Sequence, residues 1–310
     1  MIKMGTDMNS FLKFCLLQIL ALVVSVNAYA KDLFPSSPIL DKKVKFWELV
    51  FTSYSSNQLI IHDKDSPDLI FSVMDSVKEK GIVSKDEVKA FSPLLKDFAE
   101  LGEGAAALSP RHKKIWRLYA KDSAGRSRLL AGRINLRSQL GLSDIFHDAA
   151  LRAQLYIPRM EKIFKEHGLP TELTRIPFVE SMFKLDARSK VGATGMWQLM
   201  SYAAKPHIIV NNKRDERKSP IKSTYAAAKI LQANYKGLKN WPLAITAYNH
   251  GANGVKRGVV KLGSSNLADL ILSYRSKNFG FASQNYYAEF LAAQSSYDKW
   301  RNKQLATAAR

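Results

Sequence analysis

Amphipathic helix signals recur along the chain and constrain its fold more than any other feature. Segments with apolar residues at helical spacing begin at serine–proline pairs, such as Ser66-Pro67 and Ser109-Pro110, and end at glycines such as Gly168. Serine before a helix and proline in its first turn are typical start signals, and glycine is a typical stop signal. We find no alternating apolar and polar run of useful length for a strand. The sequence therefore predicts an all-α protein.

The helical segments predict two regions of different size. Residues 31–140 are expected to form a smaller helical region, in which the stretch from Leu69 to Val77 has its apolar residues on one helical face. We place a soft boundary near Gly141. A larger helical domain is predicted over residues 141–300, followed by a basic tail over residues 301–310.

The first 30 residues differ from the rest of the chain. Lys3 and Lys13 precede an apolar run over residues 14–26, and Ala28-Tyr29-Ala30 follows it. This order is typical of a secretory signal peptide, and the run is shorter than the roughly 20 apolar residues that a membrane-spanning helix needs. We therefore predict a signal peptide over residues 1–30, cleaved after Ala30, and a periplasmic or secreted protein.

The cysteine content and the charge narrow the chemistry further. The single cysteine, Cys15, lies inside the apolar run, so disulfides and cysteine-ligated zinc are excluded from the remaining chain. The whole chain carries a formal charge of +20, of which residues 1–30 contribute only +1. Such an excess predicts a polyanionic partner. For an exported protein, the carboxylate-bearing cell wall or an anionic membrane surface fits better than nucleic acid.

The most informative segment runs from Thr171 to Phe183, and we predict one helix in which Pro177 causes a local bend near Glu180. One helical face carries four residues at helical spacing: Leu173, Ile176, Glu180 and Phe183. A carboxylate therefore lies where an apolar residue is expected. Burial raises the pKa of a carboxyl group, as a general acid working near neutral pH requires. The alternative for this feature alone is a buried Glu180 paired with an arginine such as Arg175.

Four short patterns then follow in order along the chain. They are Glu180-Ser181, Ser189, Gly192-Ala193-Thr194-Gly195-Met196-Trp197-Gln198-Leu199-Met200, and Ala247-Tyr248-Asn249-His250-Gly251. Together they resemble the catalytic domain of the soluble lytic transglycosylases, and most closely the branch of membrane-bound lytic murein transglycosylase D. The resemblance covers about residues 140–300. It implies a lysozyme-like helical domain that cleaves the glycan strands of peptidoglycan.

The resemblance assigns roles to individual residues. Glu180 matches the sole catalytic acid, Ser189 matches a serine that assists at the sugar undergoing ring closure, and Tyr248 matches the tyrosine whose hydroxyl bonds and orients the glutamate. The candidate substrate-binding residues are Gln198, Met200, Asn249, Ser181 and Trp197. Ser181 is expected to support the helix end, and Trp197 and Met200 have core packing as their alternative. Tyr248 has an ordinary half-buried tyrosine as its alternative.

The chain departs from the family pattern at two places. Many relatives follow the Gln-x-Met segment with Pro-Ser-Thr-Gly, whereas Ser201-Tyr202-Ala203-Ala204 follows here. Many also carry a Glu-Thr pair shortly before the last helix, where this chain has Ser283-Gln284. We therefore expect a different groove rim and one substrate contact that is missing or replaced.

Glycoside cleavage usually requires two carboxylates, yet only Glu180 lies inside the motif set. Asp186 is the nearest candidate for a second, and its position in the following turn predicts a solvated side chain. The resemblance implies that Glu180 acts first as acid and then as base, giving 1,6-anhydromuramyl products from the MurNAc–GlcNAc bond. The alternatives are a hydrolase on the same fold, as in goose-type lysozyme, and a non-catalytic cell-wall-binding protein.

Neither a metal ion nor a cofactor is expected. The six histidines lack metal-ligand spacing, and the chain has no glycine-rich loop that would cradle phosphate. The expected partners are peptidoglycan glycan strands, without nucleic acid, and the expected state is a monomer.

Overall fold

The computed structural model describes residues 33–75 and 84–308. The chain divides into an N-terminal unit, Met1–Ser36, and a larger unit, Ser37–Arg310. The predicted signal peptide, residues 1–30, lies outside the described residues. In the part of the chain that is described, no helix is both long enough and apolar enough to cross a membrane.

The first half of the larger unit combines short helices with an antiparallel three-stranded sheet. The helices are α1 (Pro38–Thr52), α2 (Ser84–Lys89), α3 (Ser92–Leu101), α4 (Pro110–Leu118) and α5 (Ser123–Leu130), with a 3-10 turn at Gly102–Ala107. The strands are β1 (Gln58–Asp63), β2 (Ile70–Asp75) and β3 (Leu136–Leu140), in the order β2-β1-β3. In the central strand, Ile60 pairs with Val73 on one side and with Gln139 on the other.

This sheet corrects the prediction of a helix over Leu69 to Val77, because Ile70–Asp75 is strand β2. The apolar spacing of so short a run fits a helix and a strand alike. What decides between them is the pairing with β1, a buried strand bonded on both edges. Sequence spacing does not reveal that long-range pairing. The mainly helical class of the protein is nevertheless confirmed.

The second half of the larger unit is helical. Its helices are α6 (Ser143–Ala153), α7 (Ile157–Glu166), α8 (Ile176–Glu180), α9 (Ser201–Ala204), α10 (Pro220–Leu238), α11 (Trp241–His250), α12 (Ala252–Leu262), α13 (Leu267–Ser273) and α14 (Phe281–Ala308), with 3-10 turns at Thr171–Arg175 and Glu216–Lys218. The residues predicted to be a basic tail, 301–310, continue α14 as far as Ala308.

A row of aromatic rings joins helices from both halves. Phe51 of α1 stacks on Phe146 of α6 at a centroid distance of 5.1 Å, and Phe146 stacks on Phe178 of α8 at 4.7 Å. Phe178 also contacts Tyr297 of α14 at 5.1 Å. Each such pair contributes about 0.5–1.5 kcal/mol beyond the burial of its area. Helix α1 thus shares a packed core with α8 and α14, and a domain boundary near Gly141 stays a prediction.

A buried ion pair attaches strand β1 to α5. Asp63, which is fully buried, accepts hydrogen bonds from Arg128 Nη2 and from the Tyr119 hydroxyl, both at 3.0 Å. A buried carboxylate is tolerated only when it is paired and hydrogen-bonded in this way.

The glycine-rich segment 192–200 forms a tight turn held by Arg217. Thr194 and Leu199 exchange two backbone hydrogen bonds of 3.1 Å, and Arg217 Nη1 donates to the carbonyls of Gly192 and Leu199 at 3.0 Å each. Gly195 has a φ of +80°, and a Cβ there would overlap the Arg217 carbonyl oxygen. The turn therefore requires glycine at 195 for two reasons, its left-handed backbone and its lack of a side chain.

We predict that Gly195→Ala destabilises the protein more than Gly192→Ala. Both glycines have positive φ, but only at Gly195 would the added methyl meet backbone atoms. The difference in the free energy of unfolding should be about 1–3 kcal/mol, the usual cost of forcing a methyl group into packed structure. Urea denaturation of the two variants measures it, and equal losses would contradict the steric argument.

Candidate active site

Glu180 lies at the C-terminal end of a very short helix. The predicted single helix from Thr171 to Phe183 is wrong, since a 3-10 turn covers Thr171–Arg175 and the α-helical turn α8 begins at Ile176. Pro177 occupies the first turn of α8, where its missing N–H costs nothing. Proline thus starts a new helix here instead of bending a longer one.

Two residues with left-handed backbones end this helix abruptly. Met182 has a φ of +52° and Phe183 a φ of +58°, which are strained values for residues other than glycine. Two contacts stabilise this strained backbone. Phe183 is fully buried and packs edge-on against Phe178 at 4.7 Å, and Arg152 Nη2 donates to the Met182 carbonyl at 3.0 Å. Glu180 is therefore fixed at the edge of the core.

The Glu180 carboxyl group is half-buried and, within the described residues, accepts one hydrogen bond. The hydroxyl of Tyr286, a residue of α14 that is 3% exposed, donates to Glu180 Oε1 at 2.5 Å. Burial raises the pKa of Glu180 to about 7, and the Tyr286 hydrogen bond offsets part of that rise. Near neutral pH this carboxyl group can therefore both give and accept a proton.

Among the residues that the structure describes, no arginine forms an ion pair with this carboxyl group. Arg175, the partner considered as an alternative, directs Nη1 to Glu161 at 2.5 Å and to Thr174 Oγ1 at 2.6 Å. Its Nη2 lies 3.9 Å from Asp298. The interpretation of Glu180 as one half of a buried ion pair with Arg175 is therefore wrong.

Tyr248 does not make the hydrogen bond that the resemblance implied. Its hydroxyl donates to the Trp197 carbonyl at 2.9 Å, so its single proton is not available to Glu180. Tyr248 is nevertheless close enough that burial and the charge of an ionised Glu180 together raise the pKa of its hydroxyl. The hydrogen bond expected from Tyr248 comes instead from Tyr286, which the sequence analysis had not singled out.

Three of the predicted site residues build the turn beside Glu180. Ser181 Oγ donates to the Met196 carbonyl at 2.9 Å, and Ser189 Oγ accepts from the Ala193 N–H at 3.0 Å. Gln198 Nε2 donates to the carbonyls of Gly195 at 2.8 Å and Ala187 at 3.2 Å. These bonds bring the turn to the end of α8.

All three of these side chains are half-buried, as is Met200, which directly precedes α9. Contacts of Ser181, Ser189, Gln198 and Met200 with a substrate stay predictions.

Trp197 was predicted as a substrate contact, and for this residue the prediction is wrong. Its ring is fully buried and stacks on Phe164 at a centroid distance of 5.7 Å. Its Nε1 donates to Thr224 Oγ1 at 3.0 Å, so its one polar atom is already satisfied. Trp197 is a core residue that supports the turn over residues 192–200, and it cannot contact a ligand at the surface.

The Ser283 position, where relatives carry an acidic residue, is occupied by a small hydrogen-bonded cluster. Ser283 Oγ donates to Asn249 Oδ1 at 3.2 Å and lies 3.1 Å from His250 Nδ1. Burial lowers the pKa of His250, so the imidazole is neutral and its Nδ1–H donates to the serine oxygen. Asn249 itself is exposed. Its role as a substrate contact stays a prediction.

A second carboxyl group that the sequence analysis missed lies near Glu180. Glu289 follows Tyr286 by one turn of α14 and is half-buried. Burial raises its pKa, and the charge of an ionised Glu180 adds to the rise. Asp186, the candidate considered from the sequence, is exposed. Only the packing of α14 against α8 reveals Glu289, because the two glutamates are far apart in the chain.

Comparisons with known proteins find similarity over the part of the chain that contains Glu180. Residues 160–270 match the family model described as Transglycosylase SLT domain. A stretch of 115 residues is 31% identical to membrane-bound lytic murein transglycosylase D of Escherichia coli strain K12 and covers 36% of this chain. The match spans 25% of that relative's length.

Solved structures of two lytic transglycosylases are also similar. The 70 kDa soluble lytic transglycosylase of Escherichia coli is 16% identical, with a TM-score of 0.39, covering 72% of this chain and 38% of the other. An inactive mutant of lytic transglycosylase Slt from Pseudomonas aeruginosa is 17% identical, with a TM-score of 0.40, covering 77% of this chain and 41% of the other. The match to this family model agrees with the resemblance that the motifs predicted, and it covers residues 160–270.

Proposed function

We propose that the protein is a peptidoglycan lytic transglycosylase that cleaves the MurNAc–GlcNAc bond and leaves 1,6-anhydromuramyl ends. The observation that carries the proposal is the state of Glu180 within a transglycosylase SLT domain. This half-buried carboxyl group has no cationic partner among the described residues, bonds to Tyr286, and has a pKa raised to about 7.

A single group with such a pKa suits both halves of the reaction. Neutral Glu180 protonates the glycosidic oxygen, the C1–O bond breaks, and the acetamido group of the substrate helps to stabilise the positive charge at C1. Ionised Glu180 then takes the proton of the muramyl 6-hydroxyl, and that oxygen bonds to C1. The carboxyl group regains its proton, and no water is consumed.

The alternative of a hydrolase is weakened by the state of the second carboxyl group. A base that activates water, or a nucleophile, has to be ionised. Burial raises the pKa of Glu289 to about 8, so this group is mostly protonated at neutral pH. Asp186 is ionisable but exposed. The substrate's own hydroxyl therefore remains the best candidate for closing onto C1.

We expect loss of the acid to slow cleavage and the wild-type protein to leave anhydro ends. Glu180→Gln should lower the rate of glycan release from purified sacculi by about 10²–10⁴-fold, the usual contribution of a general acid. Mass spectrometry of the muropeptides released by the wild-type protein should show anhydro ends, lighter by one water than reducing ends.

The matched control is Asp186→Asn, which neutralises an exposed carboxylate close by in the chain. It should keep nearly full activity. Reducing ends from the wild-type protein would refute ring closure, and full activity in Glu180→Gln would remove the assignment of the acid.

Tyr286 and Tyr248 should respond differently to the loss of their hydroxyl groups. Tyr286→Phe removes the hydrogen bond to Glu180, which favours the ionised form, so the pKa of Glu180 should rise. Activity requires the protonated acid and falls as the pH rises through that pKa. The alkaline limb of the rate profile should therefore move to higher pH, while the maximal rate falls by about 10- to 100-fold, as expected for a hydrogen bond to a charged group.

Tyr248→Phe removes only the bond to the Trp197 carbonyl and should leave the alkaline limb in place. Rates of sacculus digestion across pH measure both variants. If the alkaline limb moved in Tyr248→Phe and stayed in place in Tyr286→Phe, the assignment of the positioning role to Tyr286 would be wrong.

A further inference from the structure

A cavity of about 440 Å³ lies beside the start of α14, and the reaction proposed above does not use it. Its lining includes Lys43 of α1, Arg128 of α5, Arg275 just after α13, and Gln284 of α14. The volume falls within the roughly 300–1,000 Å³ that is usual for ligand pockets. The cavity is therefore large enough to hold a small ligand.

Helix α14 separates this cavity from the candidate active site. Gln284 lines the cavity, whereas Tyr286 donates its hydrogen bond to Glu180. With 3.6 residues per helical turn, side chains two positions apart point to nearly opposite sides of a helix. A ligand in the cavity would thus occupy a second site, distinct from that of Glu180.

The acidic residues that line the cavity already have basic partners. Asp65 Oδ2 accepts a hydrogen bond from Arg128 Nη1 at 3.0 Å, and Asp122 Oδ2 lies 3.5 Å from Lys42 Nζ. Arg128 also donates to the fully buried Asp63 at 3.0 Å, so its charge is shared between two carboxylates. Both acids of the lining are committed in this way, together with two of its four basic residues.

Lys43 is one of the two remaining basic residues, and it forms no ion pair among the described residues. It is 2% exposed, and its ammonium group makes one long hydrogen bond, of 3.4 Å, to Asn285 Oδ1. Burial lowers the pKa of Lys43 to about 8, and Asp65 and Asp68 favour its charge without pairing with it. The group is therefore still charged near neutral pH. Keeping such a charge away from water is costly, and a bound carboxylate would offset that cost.

Arg275 is the other basic residue without an acidic partner in the part of the chain that is described. It is exposed, and its guanidinium donates to the backbone carbonyls of Leu272 at 2.6 Å and Ile271 at 3.4 Å. Ile271 and Leu272 also line the cavity, as does Ile39 of α1. The lining thus combines two cations that lack a carboxylate with an apolar surface.

We propose that this cavity binds a short acidic peptide of the cell wall, whose carboxylate groups pair with Lys43 and Arg275 and whose apolar part packs against Ile39 and Ile271. A peptide fits better than an inorganic anion, because it matches the apolar surface as well as the cations. The choice of a cell-wall peptide rests on the proposed function, in which Glu180 cleaves the glycan strand that carries such peptides. The cavity would then hold the wall at a second point while the strand is cut.

Binding is tested by NMR titration of the full ¹⁵N-labelled chain, with the side-chain amide of Gln284 as the reporter. The probe is acetyl-L-Ala-γ-D-Glu, in which glutamate has the linkage and handedness found in cell-wall peptides. It should shift the Gln284 signal saturably, whereas acetyl-L-Ala-L-Gln-amide, which has no carboxylate, should not. Equal shifts with both compounds would overturn the proposal. Tighter binding of acetyl-L-Ala-L-Glu, the form found in proteins, would overturn the assignment to the wall.

Variants of the two cations test the pairing. Arg275→Gln and Lys43→Met should each weaken binding of the acidic probe by about 10- to 100-fold, as expected for loss of a hydrogen bond between charged groups. Lys277→Gln is the matched control, because it removes an exposed cation two residues after Arg275 that does not line the cavity. It should leave the dissociation constant unchanged.

Arg275 is exposed, so its variant should keep the fold even if Lys43→Met does not. Unchanged binding in Arg275→Gln would overturn the proposal. Glu180→Gln should bind the probe as tightly as the wild-type protein. Peptide binding and glycan cleavage are therefore measured separately, and failure of one is distinguishable from failure of the other.

Discussion

The removal of the Glu180 carboxyl group from water is the physical constraint on which this site depends. Desolvation is the largest cause of its raised pKa, and the hydrogen bond from Tyr286 lowers the pKa without cancelling that rise. An arginine in the place of Tyr286 would have kept Glu180 ionised near neutral pH. Arg175 is instead committed to Glu161 and Thr174. Arg175 therefore does not hold Glu180 in its ionised form.

Such burial requires a rigid shell, and distant parts of the chain provide it. The aromatic row from Phe51 through Phe146 and Phe178 packs α8 into one core with α1, α6 and α14. Strained backbone at Met182 turns the chain away just after Glu180, and this strain is held by Arg152. Such strain costs about 1–3 kcal/mol per residue and persists only where packing over-determines it. The N-terminal helix α1 is therefore part of what positions the acid.

Local patterns in the sequence were enough to single out Glu180 as a partly buried carboxyl group and to predict the helical class, because helix spacing, caps and glycine stops are short-range features. Features that depend on long-range contacts were not predictable in this way. Strand β2 was taken for a helix because only its pairing with β1 distinguishes the two. Tyr286 and Glu289 were overlooked because residues on a long amphipathic helix look alike until its partner is known. Trp197 was predicted as a substrate contact because it belongs to a motif, but its side chain is fully buried in the core.

The central claim is that Glu180 is a neutral acid in the substrate-free protein. Neutron diffraction from crystals grown in heavy water at slightly acid pH would locate its proton directly. The account predicts a deuteron on Oε2 of Glu180 and a Tyr286 deuteron directed at Oε1, since that oxygen already accepts the hydrogen bond. A bare carboxylate on Glu180 under those conditions would contradict the account.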